Sequence, residues 1–359
     1  MKRNIQILVD PRSNYAYSSY YILGLQHIYG KSAIQYTYAP FKTLGDMGND
    51  MRFIIQEGDK QKKVFLHLND SYVLQVDDYA WCDVYGCVNA NYAKYPGDTY
   101  PKLRSLVPSF GIRVEDRLTA VMRHGAEQLI PILSIILNRS RWNKYTGRME
   151  SKALRNLRNY FGLRYRTWKN REPLSSYVCD IPSEDNYIFF LSTLWYSDEW
   201  NKNDETVNLR RAHFIRACKS IEGVTFEGGL LGDASSSNEK FADVLATHEE
   251  PFGQWIEKTK RSALVFNTPA FWDCHGWKLG EYLALGKCIV STKLSNDLPY
   301  PLEHGKNIHF VEDTEESMRE AISYILAHPE YRHKLEKGAR EYWEKYGTPE
   351  ASLKLLGIK

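Results

Sequence analysis

The sequence predicts an α/β protein with two doubly wound domains. Short apolar runs bounded by turn-forming residues alternate with helical segments along most of the chain, and this alternation is typical of βα units. The chain has 359 residues, more than one hydrophobic core usually accommodates, so two domains are expected. Residues 173–186 are rich in Pro, Ser and acidic side chains. This composition is typical of a linker, here between the two predicted α/β domains.

The composition is that of a soluble globular protein, with 43% apolar and 25% charged residues. A net charge of +3 is too small to indicate a nucleic-acid partner. The cysteines have no paired C-x2-C spacing, so neither a zinc site nor a dense disulfide framework is expected. No apolar run reaches the roughly 18 residues that a membrane span requires. The N-terminal apolar run is also too short for a signal peptide, so we expect a cytoplasmic protein.

The first domain is expected over residues 1–175, with the tail 345–359 packing back onto it. A tyrosine-rich helix is predicted to end near Gly30, because glycine commonly terminates helices. Strands are predicted at the segments NIQILVD, AIQYTYA, MRFIIQE, KVFLHL and DVYGCV. Together these elements predict a layered α/β domain.

A basic stretch follows the most apolar run of the first half, residues 129–137. Between Arg139 and Arg171 the chain carries 11 Lys and Arg residues and one Glu. One interpretation is a buried helix followed by a solvated basic helix. The other is a peripheral membrane patch over 129–171, with its cations facing anionic lipid at the inner face of the membrane. Nucleic-acid binding is not expected, since no recognised nucleic-acid module accompanies the charge.

The second domain is expected over residues 183–344 as repeated βα units, which require mostly parallel strands. Strands are predicted at NYIFFLST, VTFEG, SALVF and CIV. Helices are predicted at about 204–220, 252–260, 276–285 and 314–327, and a long charged helix is predicted from Pro329 to Gly347. The glycine-rich segment EGGLLG, residues 227–232, is interpreted as a turn because it lacks the G-x-G-x-x-G spacing.

The helix at 276–285 has an unusual pattern. Apolar side chains cover nearly its whole circumference, as in a buried helix, and only Lys278 and Glu281 interrupt them. A buried carboxylate needs a partner. An ion pair with Lys278 at i,i+3 would serve, and so would a ligand hydroxyl group.

The second interpretation is a nucleotide site. The backbone N–H groups of Gly276, Trp277 and Lys278 lie at the start of the helix, where phosphates commonly bind. Glu281 lies about one turn further along, where it would reach ribose hydroxyls. Spacing alone leaves the ion pair and the nucleotide site both open.

The segment DCHGWKLGEYLALGKCIV resembles the E-x7-E motif of the glycosyl transferases group 1 family, which has the GT-B fold. Asp273 stands at the first acidic position, where the family usually has Glu; Gly276 matches the motif glycine, and Glu281 is the second acid. Residues 302–312, LEHGKNIHFVE, are similar to the turn and strand that follow in the family. The resemblance covers about residues 186–346.

This resemblance implies two Rossmann-like domains facing a cleft, with a C-terminal helix crossing back to the first. It implies a glycosyltransferase that moves a sugar from a nucleotide sugar to a glycan or lipid-linked acceptor, as in cell-surface polysaccharide synthesis. The first domain is then the acceptor side, and the second domain binds the nucleotide sugar. The implied donor-binding residues are His275, Gly276, Trp277, Lys278 and Glu281. No metal or other cofactor is expected, and no D-x-D triplet occurs in the sequence.

The resemblance also implies catalytic roles for two residues. Asp273 is expected to touch the donor sugar. His67, just after the strand KVFL, is the best-placed base for an inverting transfer, although a structural role in the fold is the favoured interpretation of this residue. A retaining transfer, which is favoured, needs no such base.

Several points stay open at this stage. The candidate cations for binding the phosphates are Arg210, Arg211, Lys260, Arg261 and Lys278, and the sequence singles out none of them. The alternative functions are a sugar-nucleotide epimerase or hydrolase of the same fold and a non-catalytic glycan- or nucleotide-sugar-binding protein.

Overall fold

The computed structural model describes residues 5–45, 47–137, 162–179, 181–195, 204–232 and 239–359. The chain forms two compact units. The first unit comprises Met1–Asn69, Val73–Leu174 and Pro349–Lys359, and the second comprises Asp70–Tyr72 and Ser175–Thr348. Both units combine strands and helices, which confirms the predicted α/β class.

The first unit contains a six-stranded sheet in the order β2-β1-β3-β4-β5-β6. Its strands are β1 (Ile5–Val9), β2 (Ile34–Tyr36), β3 (Met51–Glu57), β4 (Lys60–His67), β5 (Val84–Cys87) and β6 (Leu103–Ser105). Strand β3 runs antiparallel to both of its neighbours, and the other pairs are parallel. Strands β3 and β4 are antiparallel because a two-residue hairpin joins them. Gly58 in this turn adopts the φ of 58° that the turn requires.

Four helices accompany this sheet in the described segments of the first part of the chain. They are α1 (Tyr15–Tyr29), α2 (Val76–Trp81), α3 (Leu118–Leu137) and α4, which is helical over 162–170. The side chain of Asn14 caps α1 by accepting a hydrogen bond from the Ala16 amide at 3.0 Å. The helix therefore begins directly after the loop that follows β1.

The basic stretch, interpreted either as a solvated helix or as a membrane patch, falls largely on residues 138–161, which lie outside the described residues. Only its ends, in α3 and α4, are described. Within the described parts of the chain, no helix combines the length and the apolar character that a membrane crossing requires.

In the second unit, parallel strands alternate with helices. The elements in order are β7 (Tyr187–Thr193), α5 (Asp204–Ser220), β8 (Thr225–Leu231), α6 (Phe252–Arg261), β9 (Val265–Asn267), α7 (Gly276–Ala284), β10 (Ile289–Ser291), β11 (His309–Phe310), α8 (Glu315–Ala327) and α9 (Pro329–Tyr342). Strands β7 and β8 pair, as do β9, β10 and β11, and each of these pairings is parallel. This is the doubly wound arrangement that the sequence predicts.

The core of the second unit fixes the position of α7. Phe214 of α5 stacks on Phe266 of β9, with ring centroids 4.5 Å apart. On α7 itself, Leu279, Tyr282 and Leu283 are at most 1% exposed. Full burial of such side chains contributes about 1.5–3 kcal/mol each, so the helix is held rigidly.

The turn predicted at EGGLLG is wrong, because these residues continue β8 through Leu231 in register with β7. The glycines allow two backbones to come unusually close. A Cβ on Gly228 would lie 2.1 Å from the Phe190 carbonyl oxygen, and one on Gly229 would lie 2.7 Å from the Val244 carbonyl oxygen. Their φ angles of 114° and 142° are also reserved for glycine.

The chain ends in the first unit with a short helix, α10 (Pro349–Leu355). It packs on α1 at Gly24, where a Cβ would lie 2.9 Å from the Pro349 carbonyl group. The Lys62 ammonium group then donates to the carbonyl oxygens of Leu356 and Gly357 at 2.8 and 2.9 Å. The terminal residues are thereby joined to the sheet at β4.

Candidate functional site

The candidate site lies where β9 and β10 end and α7 begins. The Thr268 and Thr292 hydroxyls, one residue beyond the two strands, are 2.8 Å apart. The Asn267 side-chain amide donates to the Ser291 hydroxyl at 3.0 Å. Polar groups thus line the carboxyl edge of the parallel sheet, which is where doubly wound folds bind ligands.

The loop from Thr268 to His275 leads into α7 through an irregular turn. Trp272 and Asp273 adopt φ angles of 51° and 60°, a left-handed conformation that costs about 1–2 kcal/mol for a residue with a side chain. The Ala270 amide donates to the Cys274 carbonyl at 2.8 Å, and the Asn296 side chain donates to the Asp273 carbonyl at 3.0 Å. These bonds hold the strained turn in one conformation.

Helix α7 starts at Gly276, whose φ is 64°. A Cβ there would meet nothing closer than 3.7 Å, so the conformation, not lack of space, requires glycine. Among the described residues, no side chain caps the helix at His275. The first N–H groups of a helix attract anions, and the helix dipole adds about 0.3–1 kcal/mol.

Glu281 lies one turn into α7 and is 4% exposed. The Tyr177 hydroxyl, itself buried, donates to Glu281 Oε1 at a long 3.5 Å. A buried carboxylate must be offset by hydrogen bonds or charges inside the protein. Glu281 is therefore an acceptor held inside the unit, close to the start of the helix.

Two cations meet at the carboxyl end of β7. The Lys278 ammonium group donates to the Ser192 hydroxyl at 3.2 Å, and Arg211 of α5 donates to the Thr193 carbonyl at 2.8 Å. Arg211 is 7% exposed. It also lies close enough to α7 to oppose the rise that burial causes in the pKa of Tyr282.

The remaining candidate cations pair elsewhere. Arg210 binds Asp313 at 2.9 Å, Lys260 binds Glu257 at 3.1 Å, and Arg261 binds Glu184 at 2.5 Å. The structure therefore separates Arg211 from Arg210, which the sequence could not do for two adjacent arginines on one helix.

His275 lies immediately before α7 and is 2% exposed. Burial lowers the pKa of His275 to about 4, against a smaller opposing effect of a hydrogen bond with the backbone at Asp297. The ring is therefore neutral at pH 7. Trp277 is half-buried, and Asp273 is exposed.

His67 is the last residue of β4 in the first unit and is fully buried. The Tyr85 hydroxyl lies 2.9 Å from His67 Nδ1. Burial lowers the pKa of His67, and the negative charge of Asp50 opposes this. The ring is thus held neutral and firmly oriented.

Asp70 is a residue of this region that the sequence did not single out. Residues 70–72 cluster with the second unit, and the Asp70 carboxylate accepts a hydrogen bond from the Cys274 thiol. Burial raises the pKa of Asp70 more than this bond lowers it. In the sequence Asp70 resembles an ordinary turn residue after a strand, which is why it was missed.

One further cluster in the second unit has the composition of a metal site. The ligand atoms of Glu227, His248 and Glu250 lie within 4.8 Å of one another. However, the Lys258 ammonium group donates to Glu227 at 2.6 Å and also to Glu250. A cation of the protein already occupies the position between the two carboxylates.

Comparison with known proteins gives structural neighbours only, since no family model and no curated protein sequence matches the chain. Sucrose-phosphate synthase from Thermosynechococcus elongatus aligns with a TM-score of 0.39 and 11% identity, over 77% of this chain and 72% of that one. The complex of Staphylococcus aureus MnaA with UDP gives 0.39 and 12%, over 80% and 72%. The C-terminal domain of a glycosyl transferase group 1 family protein from Francisella tularensis gives 0.33 and 11%, over 46% and 87%.

Proposed function

We propose that the protein is a glycosyltransferase that uses a nucleotide sugar, and that its second unit binds this donor at the start of α7. One structural arrangement supports this proposal most strongly. A buried carboxylate, Glu281, lies one turn inside a helix whose start is flanked by two cations, Lys278 and Arg211. An acid behind an anion-binding helix end matches the chemistry of a nucleoside diphosphate, with its ribose hydroxyls and its phosphates.

The diphosphate would lie against the N–H groups at Gly276, Trp277 and Lys278. The side chains of Lys278 and Arg211 would add charge-assisted hydrogen bonds, each contributing about 1.5–3 kcal/mol. The guanidinium group suits phosphate because it offers several donors in a fixed plane. Gly276 would let the phosphate approach the backbone closely.

The ribose would donate its hydroxyl hydrogens to Glu281. A carboxylate accepts several hydrogen bonds at once, so Tyr177 and ribose hydroxyls can share it. Because Glu281 is buried, these bonds form in a low-dielectric environment, where they are strong and where losing them is costly. His275, neutral and fixed beside the helix start, would contribute its ring to the same donor site.

In the proposed transfer, the bond between the sugar and the diphosphate lengthens and negative charge builds up on the leaving phosphate. Lys278, Arg211 and the helix N–H groups are the groups that stabilise this charge, and no metal is needed for that step. Asp273, exposed in the loop before Gly276, would contact the donor sugar. A retaining outcome is proposed.

The acceptor is proposed to be a glycan or a lipid-linked sugar, as in cell-surface polysaccharide synthesis. An inverting transfer would need a base, and His67 is the proposed group. Since Nδ1 of His67 is engaged with the Tyr85 hydroxyl, the proton would be taken at Nε2. A peripheral membrane contact through 129–171 belongs to the same proposal.

A thermal-shift screen tests the donor site. A ligand that binds only the folded state raises the apparent stability by mass action. UDP, GDP, ADP and their common sugar conjugates are compared at equal concentration, and one base series is expected to raise the melting temperature by several degrees. If none of these compounds shifts the transition, the proposal fails.

A turnover assay then separates the reaction classes. Release of the nucleoside diphosphate from the best sugar conjugate is measured with and without a panel of saccharide acceptors. A glycosyltransferase releases it much faster when an acceptor is present. Equal turnover without acceptor would instead identify an epimerase or hydrolase.

A further inference from the structure

Three aromatic side chains form a surface next to the proposed donor site, here called the aromatic platform: Trp195, Phe271 and Trp272. The rings of Trp195 and Phe271 stack with centroids 6.2 Å apart, and those of Phe271 and Trp272 lie 4.5 Å apart. Both tryptophans remain open to solvent, at 40% and 49% exposed. The three rings together present an apolar surface to solvent beside the start of α7, which distinguishes them from exposed aromatic side chains elsewhere in the unit.

Side-chain amides hold the backbone of the platform at two points, Trp195 and Asp273. After β7, Asn208 accepts a hydrogen bond from the Trp195 amide at 3.1 Å and donates to the Trp195 carbonyl at 2.7 Å. After β9, Asn296 donates to the Asp273 carbonyl at 3.0 Å. The backbone that carries the rings is therefore held in place before any ligand arrives, which lowers the entropic cost of binding.

Backbone strain points to the same residues. Trp272 and Asp273 are the described non-glycine residues with positive φ. This conformation places an apolar ring in solvent at an energetic cost, and such strain persists mainly where function requires it. The packing of the unit does not explain it, since Trp272 is half exposed.

We propose that the aromatic platform binds a saccharide ring of the acceptor. The proposal rests on the donor site proposed above, because one loop, residues 268–275, carries both Trp272 and the start of α7. A pyranose has an apolar C–H face that packs on an aromatic ring and removes both from water. It also has hydroxyl groups at its rim, and the exposed Asp273 carboxylate beside Trp272 can accept hydrogen bonds from them while it contacts the donor sugar, because a carboxylate accepts several hydrogen bonds at once.

The Asp273 carboxylate argues against an acyl chain as the occupant. An acyl chain on the platform would desolvate Asp273 without giving it a hydrogen bond, which is unfavourable. A sugar can cover the aromatic rings with its apolar face and also donate hydrogen bonds to the carboxylate.

The test uses 5-fluorotryptophan-labelled protein and fluorine NMR. The Trp195→Phe and Trp272→Phe variants assign the two platform resonances. Maltose, cellobiose and N,N′-diacetylchitobiose are then titrated as probes. At least one disaccharide is expected to shift both resonances with a common midpoint, and Trp272→Ala is expected to weaken its binding about tenfold, the scale of one lost aromatic contact.

Tyr300→Ala is the matched control, because Tyr300 is 51% exposed and stacks on Tyr346 with centroids 4.3 Å apart. It removes an exposed stacked ring outside the platform and is expected to leave disaccharide affinity unchanged. Equal loss in both variants would overturn the proposal, and so would the absence of any shift with all three disaccharides.

Two further outcomes separate this inference from the proposed donor site. If nucleoside diphosphates shift the platform resonances and disaccharides do not, the rings stack a nucleobase and the saccharide assignment is wrong. If disaccharides bind the platform while no nucleoside diphosphate binds the protein, the platform stands and the donor site fails. In the expected case, Trp272→Ala retains the thermal shift caused by the nucleoside diphosphate.

Discussion

The Lys278 ammonium group donates a hydrogen bond to the Ser192 hydroxyl at 3.2 Å, and this bond joins the first turn of α7 to the end of β7. Arg211 reaches the neighbouring residue, Thr193, through its backbone carbonyl. A cation from each of two helices is thus fixed at one strand end. This arrangement directs positive charge to the edge where a doubly wound sheet binds its ligand.

Removing one of these cations should weaken diphosphate binding selectively. We expect Arg211→Gln to lower the affinity for the nucleoside diphosphate about 10- to 100-fold, the loss of one charge-assisted hydrogen bond. Arg210→Gln is the control, because Arg210 pairs with Asp313 instead. Calorimetric titration of both variants provides the measurement. Equal affinity in the Arg211 variant and the wild type would remove this arginine from the site.

Replacing the helix-start glycine should reduce both stability and ligand affinity. Gly276→Ala forces a side chain into a φ of 64°, so we expect a loss of about 1–2 kcal/mol in the free energy of unfolding. The same strain shifts the N–H groups that face the ligand. Urea denaturation and ligand titration measure the two effects.

Gly305→Ala separates strain from function. Gly305 also has a positive φ, 73°, and its nearest neighbour for a Cβ is Tyr331 at 3.6 Å. This variant should lose similar stability and keep full affinity. A similar fall in affinity in both variants would show that lowered stability, not the position of Gly276, is the cause.

The buried His275 should make the protein less stable as the pH is lowered. The unfolded chain protonates this ring below about pH 6.5, whereas burial keeps the folded ring neutral down to about pH 4. The unfolded state therefore binds more protons in this window, and stability is lost as the pH falls through it. We expect the melting temperature of His275→Asn to drop less between pH 7 and pH 4.5 than that of the wild type.

The matched control for this pH dependence is His333→Asn, at an exposed histidine of the same unit. It should reproduce the wild-type slope of melting temperature against pH. If His275→Asn has that slope as well, buried His275 does not contribute to the acid sensitivity.

The close approach of β7 and β8 should make Gly228 irreplaceable. A Cβ there would lie 2.1 Å from the Phe190 carbonyl oxygen, so Gly228→Ala must move two paired strands apart. We expect a loss of about 3 kcal/mol or more, the sum of a clash and a left-handed conformation. Gly223→Ala, at a φ of 82° with nothing within 4 Å, should show the conformational part alone. Comparable losses in urea denaturation would contradict the described approach of the strands.

Local patterns were sufficient to predict most of the fold. Short apolar runs between breakers located the strands on both sides of α7, and the nearly complete apolar circumference predicted that this helix is buried. The same pattern singled out Glu281 as the acid that interrupts it. These features depend on neighbouring residues in the chain, so a sequence can report them.

The structural features that could not be predicted from the sequence depend on contacts between segments far apart in the chain. Gly228 of β8 is required by the backbone of Phe190, its partner 38 residues earlier, and Gly229 by the backbone of Val244. In isolation the two glycines resemble a turn. The choice of Arg211 over Arg210 depends on which side of α5 faces the end of β7. Likewise, the hydrogen bond between Asp70 and Cys274 joins residues more than 200 positions apart. No periodicity indicates such partners.

The central claim is that Glu281 accepts hydrogen bonds from the ribose of the donor. Calorimetric titration of wild type and Glu281→Gln, each with the best nucleoside diphosphate and its 2′,3′-dideoxy analogue, tests it directly. Glu336→Gln serves as control, at a glutamate that accepts a bond from Ser183 at 2.7 Å. We predict that Glu281→Gln weakens binding of the natural ligand about 10- to 100-fold and leaves the affinity for the dideoxy analogue nearly unchanged. Equal affinities of the two proteins for the natural ligand, or equal losses for both ligands, would contradict the claim.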